Sequence, residues 1–181
     1  VRNRLAGFGL ALGVFGLDRG IKALVAGPLD LQTIGVIKLL PFFDLRWTEN
    51  YGVSYGMFTA DSSETKFALL GMTGLIALGV AVWMLREKVL GEILALALVL
   101  GGALGNIYDR FTRGFVIDYA DLHIGGWRPF LIFNLADAAI TVGVLILLAR
   151  SLLSREKPAK AADADTDAAP DTGPDTATET V

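Results

Sequence analysis

Nineteen consecutive residues without a charge, Phe67 to Leu85, constrain this chain more than any other stretch. As a helix they rise about 1.5 Å per residue and cover about 28 Å, close to the roughly 30 Å hydrocarbon core of a bilayer. Inside lipid no water satisfies backbone N–H and C=O groups, so the run reads as a transmembrane helix. Across all 181 residues the hydrophobic share is 53%, more than an ordinary soluble domain carries, and residues outside the apolar segments are too few for a second core.

Three further segments follow the same logic. One begins near Val89 and runs to about Tyr108, with Glu92 near its start and only the tight turn Arg86-Glu87-Lys88 before it. Another runs from about Leu5 to Ala26, uncharged through Leu17 and then carrying Asp18, Arg19 and Lys22. A cleaved signal peptide competes for it, since Arg2 and Arg4 precede the apolar run, but no clean small-residue cleavage site follows. The last spans about Phe130 to Ala149, and Trp127-Arg128-Pro129 reads as an interface group opening a helix. The expected fold is an all-α membrane protein with four transmembrane helices, about 5–26, 67–85, 89–108 and 130–150. Gly9 with Gly13, and Ala97 with Gly101 and Gly105, recur every four residues, a spacing that lets membrane helices approach closely.

Four spans put both termini on one side. Arg2, Arg4, Arg86, Lys88, Arg150, Arg155, Lys157 and Lys160 all fall there, which the positive-inside rule assigns to the cytoplasm. Lys38, Arg46, Lys66, Arg110, Arg113 and Arg128 fall on the other side, so the short first and middle flanks carry the assignment rather than total count. The loops of about 27–66 and 109–129 are then extracytoplasmic. In the first, Val36 to Phe43 and Leu45 to Phe58 suggest short strands of a small sheet, or an interfacial half-helix. The membrane-embedded domain is expected over 1–155. Beyond it the composition turns to Pro, Ala, Asp and Thr, so 156–181 reads as a disordered acidic cytoplasmic tail.

Composition closes several routes. Without cysteine there is no disulfide framework, thiolate nucleophile or cysteine-ligated metal site. His123, the sole histidine, among scattered acids is weak support for zinc, so neither metal nor cofactor is expected. The net charge of -3 owes much to the tail, and no dense basic and aromatic surface suggests nucleic acid.

The chemistry concentrates in polar residues near the extracytoplasmic helix ends. Asp18 and Lys22 stand one helical turn apart and form a structural pair, or leave Lys22 to hold a substrate carbonyl or headgroup. Asn106, Asp109 and Arg110 cluster at the end of the third span, where a fork-like Arg110 contact with a carboxylate would make Asp109 a poor general base. Asn50-Tyr51-Gly52-Val53-Ser54-Tyr55-Gly56 joins an amide to two glycines and reads either as an ordinary turn or as a main-chain cradle for a peptide. Asn134 and Asp137 are expected on one face of the fourth helix, one to two turns from its end, pointing away from lipid.

Asp118, in the loop before that helix, follows Val116-Ile117 and precedes Tyr119, a strand-like context able to deliver it to the membrane edge. If Asp118 and Asp137 meet, two like charges in one dry site split into one ionised and one protonated carboxyl. That pair activates water on one side and protonates an amide on the other. A proton-coupled transporter or a helix-locking scaffold would use similar residues. The transporter favours a continuous polar path, and the scaffold predicts that Asp118→Asn and Asp137→Asn keep function.

Taken together, Asp18 with Lys22, Asn50-Tyr51-Gly52, Gly101-Gly102-Ala103-Leu104-Gly105-Asn106-Ile107-Tyr108-Asp109-Arg110, Val116-Ile117-Asp118 and Phe133-Asn134-Leu135-Ala136-Asp137 resemble bacterial lipoprotein signal peptidase (signal peptidase II), a family of membrane-embedded aspartic peptidases. The resemblance covers about Asp18 to Gly143. It implies a four-helix inner-membrane enzyme, both termini cytoplasmic, that removes signal peptides from diacylglyceryl-modified prolipoproteins just before the lipid-bearing cysteine. It further implies inhibition by globomycin-like cyclic peptides and contact with membrane phospholipid. Carried onto this sequence, it makes Asp118 and Asp137 the catalytic acids, and Asp18, Lys22, Asn50, Gly52, Asn106, Asp109, Arg110 and Asn134 substrate-binding or supporting residues. Arg19 stands where the family often has Gln.

Overall fold

The computed structural model describes residues 2–52 and 63–155. In chain order the elements are α1 (Arg2–Ala26), α2 (Leu31–Ile34), β1 (Val36–Leu40), β2 (Phe43–Asn50), α3 (Ser63–Arg86), α4 (Leu90–Arg113), β3 (Val116–Leu122) and α5 (Leu135–Arg155). The protein is a helical membrane protein carrying one small sheet. Among the described residues three helices are long and apolar enough to cross a membrane: Lys66–Arg86, Leu90–Arg113 and Leu135–Leu153.

Helix α4 is the hub, packing against α1, α3 and α5. Its core face, Ile93, Leu96, Ala97 and Leu100, meets Ala11 of α1 and Ala77 and Met84 of α3. Glycine sets the closest approaches. A Cβ on Gly101 would lie 2.6 Å from the Ala11 carbonyl oxygen, and one on Gly102 would run into the Ala136 carbonyl oxygen of α5. Gly9 and Gly13, expected at a helix contact, have open space where a Cβ would stand. The contact side of α1 is instead Gly7, Ala11, Val14, Asp18, Lys22 and Val25, all buried.

The sheet is antiparallel with order β1-β2-β3. Ile117, Tyr119 and Ala120 of β3 join Val25 at the end of α1 and Leu31 of α2 in a second apolar cluster. The sheet therefore seats on one end of the bundle. Of the two expectations for 36–58, strands form over 36–40 and 43–50, while Val53 to Phe58 lies outside the described residues, as does 156–181.

Two helix limits differ from the sequence reading in ways that matter. Helix α4 continues past Tyr108 to Arg113, ending where Gly114 takes a φ of 81° and donates its N–H to Arg110 O. Asp109 and Arg110 are thus helical rather than the start of a loop. Helix α5 begins at Leu135, not near Phe130. Pro129 opens no helix: Phe133 pairs with Ala120 as an isolated antiparallel bridge, so the chain stays extended until Asn134. The apolar run Phe130 to Phe133 hid this boundary.

Candidate active site

The bridge between Phe133 and Ala120 lays the start of α5 against β3, and Asp118 and Asp137 come together through Asn134. The Asn134 Nδ2 donates to Asp118 Oδ1 at 2.6 Å, while its Oδ1 accepts the Asp137 N–H at 2.9 Å. In return Asp137 Oδ2 accepts the Asn134 backbone N–H at 3.1 Å. The last two bonds form a reciprocal capping box, with Asn134 at the N-cap and Asp137 three residues on. Asn134 is therefore not one to two turns inside a helix, as its spacing suggested. It is the cap, and it is fully buried.

The remaining oxygens are also held. Asn50, at the end of β2, donates Nδ2 to Asp118 Oδ2 at 3.0 Å and accepts the Gly52 N–H on its Oδ1 at 2.8 Å. Gly52 makes that turn with a φ of 77°, a conformation that side chains disfavour. Asn106 of α4 donates Nδ2 to Asp137 Oδ1 at 2.8 Å. Asp118 is 2% exposed, whereas Asp137 is only half-buried. Burial, with the charge of Asp137 added, pushes the Asp118 carboxyl up from 3.8 to about 6.

Beneath the two acids, every early backbone donor of α5 has a side-chain partner. Leu135 N–H donates to the Tyr119 hydroxyl at 3.2 Å, Ala136 N–H to Asp18 Oδ1 at 3.1 Å, and Asp137 N–H to Asn134. These groups would otherwise be orphans, and a carboxylate at a helix N-terminus is favoured by the helix dipole. Asp18 thus fixes α5 rather than only pairing along α1. Burial pushes the Tyr119 hydroxyl up to about 12, so it stays protonated at neutral pH.

A second layer ties α1 to α4. Fully buried Lys22 meets Asp18 at 2.8 Å, Asp109 at 2.9 Å and Asn106 Oδ1 at 3.1 Å, using its three donors. All three donors of Lys22 thus face partners within the protein. Asp109, also fully buried, takes Lys22 on one oxygen and both Arg19 and Arg113 on the other, the latter at 2.9 Å. Three cations thus occupy the two oxygens of Asp109, and its sequence neighbour Arg110 is not among them. Its Nε is buried without a hydrogen-bond partner among the described residues. Its guanidinium lies beside Gly52, where the charges acting on it are Asp137, Asp118 and Asp109.

All ten positions singled out in the sequence thus converge at the sheet end of the bundle. Three were missed. Tyr119 adjoins Asp118, Arg19 adjoins Asp18, and Arg113 stands four residues after Asp109, beyond the helix end expected near Tyr108.

Residues 10–153 match the family described as signal peptidase (SPase) II, peptidase A8. The chain is 52% identical over 163 residues to the lipoprotein signal peptidase of Rhizorhabdus wittichii, covering 90% of this chain and 95% of that protein. It is 53% identical over 156 residues to the lipoprotein signal peptidase of Sphingopyxis alaskensis, covering 85% and 90%. Among solved structures, a bacterial membrane enzyme determined by the in meso method at 2.3 Å resolution superposes with a TM-score of 0.71 at 25% identity, covering 86% of this chain and 92% of that one. A second, at 1.9 Å, gives 0.69 at 28% identity, covering 81% and 92%. With most of its length matched and relatives more than half identical, the chain belongs to the signal peptidase II family of aspartic peptidases.

Proposed function

We propose that this enzyme removes signal peptides from diacylglyceryl-modified prolipoproteins, cleaving before the lipid-bearing cysteine with Asp118 and Asp137 as a catalytic pair. The observation that carries this reading is the sharing of Asn134: one cap residue holds both carboxyls at the start of α5. Family membership supplies the substrate class.

In the reaction Asp137, the more open acid, is the ionised base. It takes a proton from water, whose oxygen bonds to the scissile carbonyl carbon, while Asp118 gives its proton to the carbonyl oxygen. Collapse of the tetrahedral species breaks the C–N bond: one hydroxyl returns its proton to Asp118 as the C=O re-forms, and the proton gained by Asp137 passes to the leaving nitrogen, which restores both acids. The raised value at Asp118 supports its role as proton carrier, and a substrate covering the site removes more water and favours the protonated form further. Arg110 and the Asn50–Gly52 turn stand beside the pair, suited to holding an extended peptide. Asn106, Asp18, Lys22 and Asp109 keep the two acids in place.

The same reading makes α1 a fourth span, its charged end neutralised by Asp109, with both termini cytoplasmic and the sheet at the extracytoplasmic surface of the inner membrane. Residues 1–155 then form the peptidase domain and 156–181 a cytoplasmic tail, and globomycin-like cyclic peptides compete for the site. The test is cleavage of a diacylglyceryl-modified prolipoprotein by purified wild type, Asp118→Asn and Asp137→Asn, each verified as folded. Loss of cleavage in both with binding retained is expected. Cleavage persisting in either removes that acid from the chemistry.

A further inference from the structure

On the side of α4 turned away from Asn106, an open groove of about 310 Å³ runs between α1 and α4, lined by Leu12, Phe15, Leu104, Ile107, Tyr108 and Phe111. The lining is wholly hydrophobic or aromatic. The sheet end of this groove carries charge. The Arg19 guanidinium lies 4.2 Å from the centre of the Tyr108 ring, and the Phe15 ring stands edge-on to the same tyrosine at 6.0 Å.

Arg19 also meets Asp109, and Arg113 converges on the same carboxylate oxygen. Counting this knot, Arg19, Lys22 and Arg113 face Asp18 and Asp109, leaving one positive charge in excess. Lys22 and both acids are sealed, so the excess reaches the surface through the two arginines, whose side chains are 21% and 30% exposed. Each guanidinium has five donors and is shown giving a single nitrogen to Asp109, so donors remain in a geometry that suits phosphate oxygens.

We propose that this groove is a binding site for an intact phospholipid of the leaflet on the sheet side, its phosphate held by Arg19 and Arg113 and one acyl chain lying along Leu12, Phe15, Leu104 and Phe111. Charge complementarity selects this occupant. A diacylglyceryl group offers acyl chains but no anion for the exposed arginines, and the groove faces away from Asn106, the α4 residue that holds Asp137. The proposal requires only that the bundle lies in a membrane; it does not depend on the catalytic roles of Asp118 and Asp137. A lipid there would brace Arg19 and Arg113 against Asp109 and so couple the surrounding leaflet to the layer beneath the acids.

The test is native mass spectrometry of the purified, delipidated full chain with dioleoylphosphatidylglycerol or dioleoylglycerol at equal concentration. The variants Arg19→Gln and Leu104→Trp are included, and thermal unfolding confirms that each is folded. Wild type should retain one phosphatidylglycerol in preference to dioleoylglycerol. Removing one guanidinium contact in Arg19→Gln should weaken retention about tenfold, and filling the groove in Leu104→Trp should abolish it. Equal retention of the two lipids, or displacement of phosphatidylglycerol by dioleoylglycerol, overturns the proposal by making the groove an acyl-chain site without headgroup recognition. Undiminished retention by Leu104→Trp overturns it by placing the lipid elsewhere, and this arm stands even if Arg19→Gln fails to fold.

Discussion

Replacing Asn134 with alanine should move the pH dependence of cleavage in a direction opposite to simple damage. The amide donates to Asp118 Oδ1 at 2.6 Å, a charge-assisted bond that favours the ionised carboxylate and is worth about 1.5–3 kcal/mol. At about 1.4 kcal/mol per pKa unit, its loss raises the Asp118 value by about 1–2 units. If Asp118, raised to about 6, is the proton carrier proposed above, wild-type kcat/KM should decline as pH rises through that value. In Asn134→Ala the decline should move up to about pH 7–8, while the plateau falls because the helix cap, worth about 1 kcal/mol, is also gone. Asn134→Asp separates the two effects. Aspartate caps well but cannot donate to Asp118, so it should shift the profile at least as far with less loss of stability. The assay is kcat/KM for a lipopeptide substrate from pH 5 to 9. An alkaline limb in Asn134→Ala that coincides with wild type would refute the assignment of the proton to Asp118.

Three further outcomes follow from the ion pairs and helix contacts. Asp109→Asn strands Lys22, Arg19 and Arg113 around a neutral group; thermal unfolding should show a loss of about 3–5 kcal/mol, with the pH limb of any residual cleavage unmoved. Gly102→Ala drives a methyl against the Ala136 carbonyl oxygen and should cost about 1–3 kcal/mol while lowering cleavage. Gly9→Ala, facing open space, should stay within about 0.5 kcal/mol of wild type by the same measurement.

Much of the site was legible because expensive residues in apolar surroundings stand out: Asp18, Lys22, Asn106, Asp109 and Asp137 are costly there unless they have partners. What could not be read was who partners whom. Arg110 is adjacent to Asp109, yet successive helical residues point about 100° apart, so the partners are Arg113 one turn on and two residues of α1. The α5 boundary was obscured for a different reason. Hydropathy continues unbroken from Phe130, and a proline at a plausible first position reinforced the wrong start. The local signal that decides it, Asn134 followed three residues later by Asp137, is a capping pattern that the apolar run outweighed. Gly9 and Gly13 illustrate the limit of spacing alone, since four-residue periodicity gives a face but not its neighbour.

The knot at Asp109 also bears on how the protein is built. If helix α1 is the fourth span proposed above, it carries Asp18, Arg19 and Lys22 toward its sheet end, where a charge that cannot reach the surface costs at most about 2.5–3.5 kcal/mol. Asp109 arrives only with α4, 87 residues after Lys22. Until then Lys22 has Asp18 alone, and Arg19 must reach toward the headgroups. On that reading the charges of the first helix are fully partnered only once the third long helix is in place. Nascent chains that stop before α4 would then lack the carboxylate that Lys22 and Arg19 share, a chemical mark by which unfinished copies differ from finished ones.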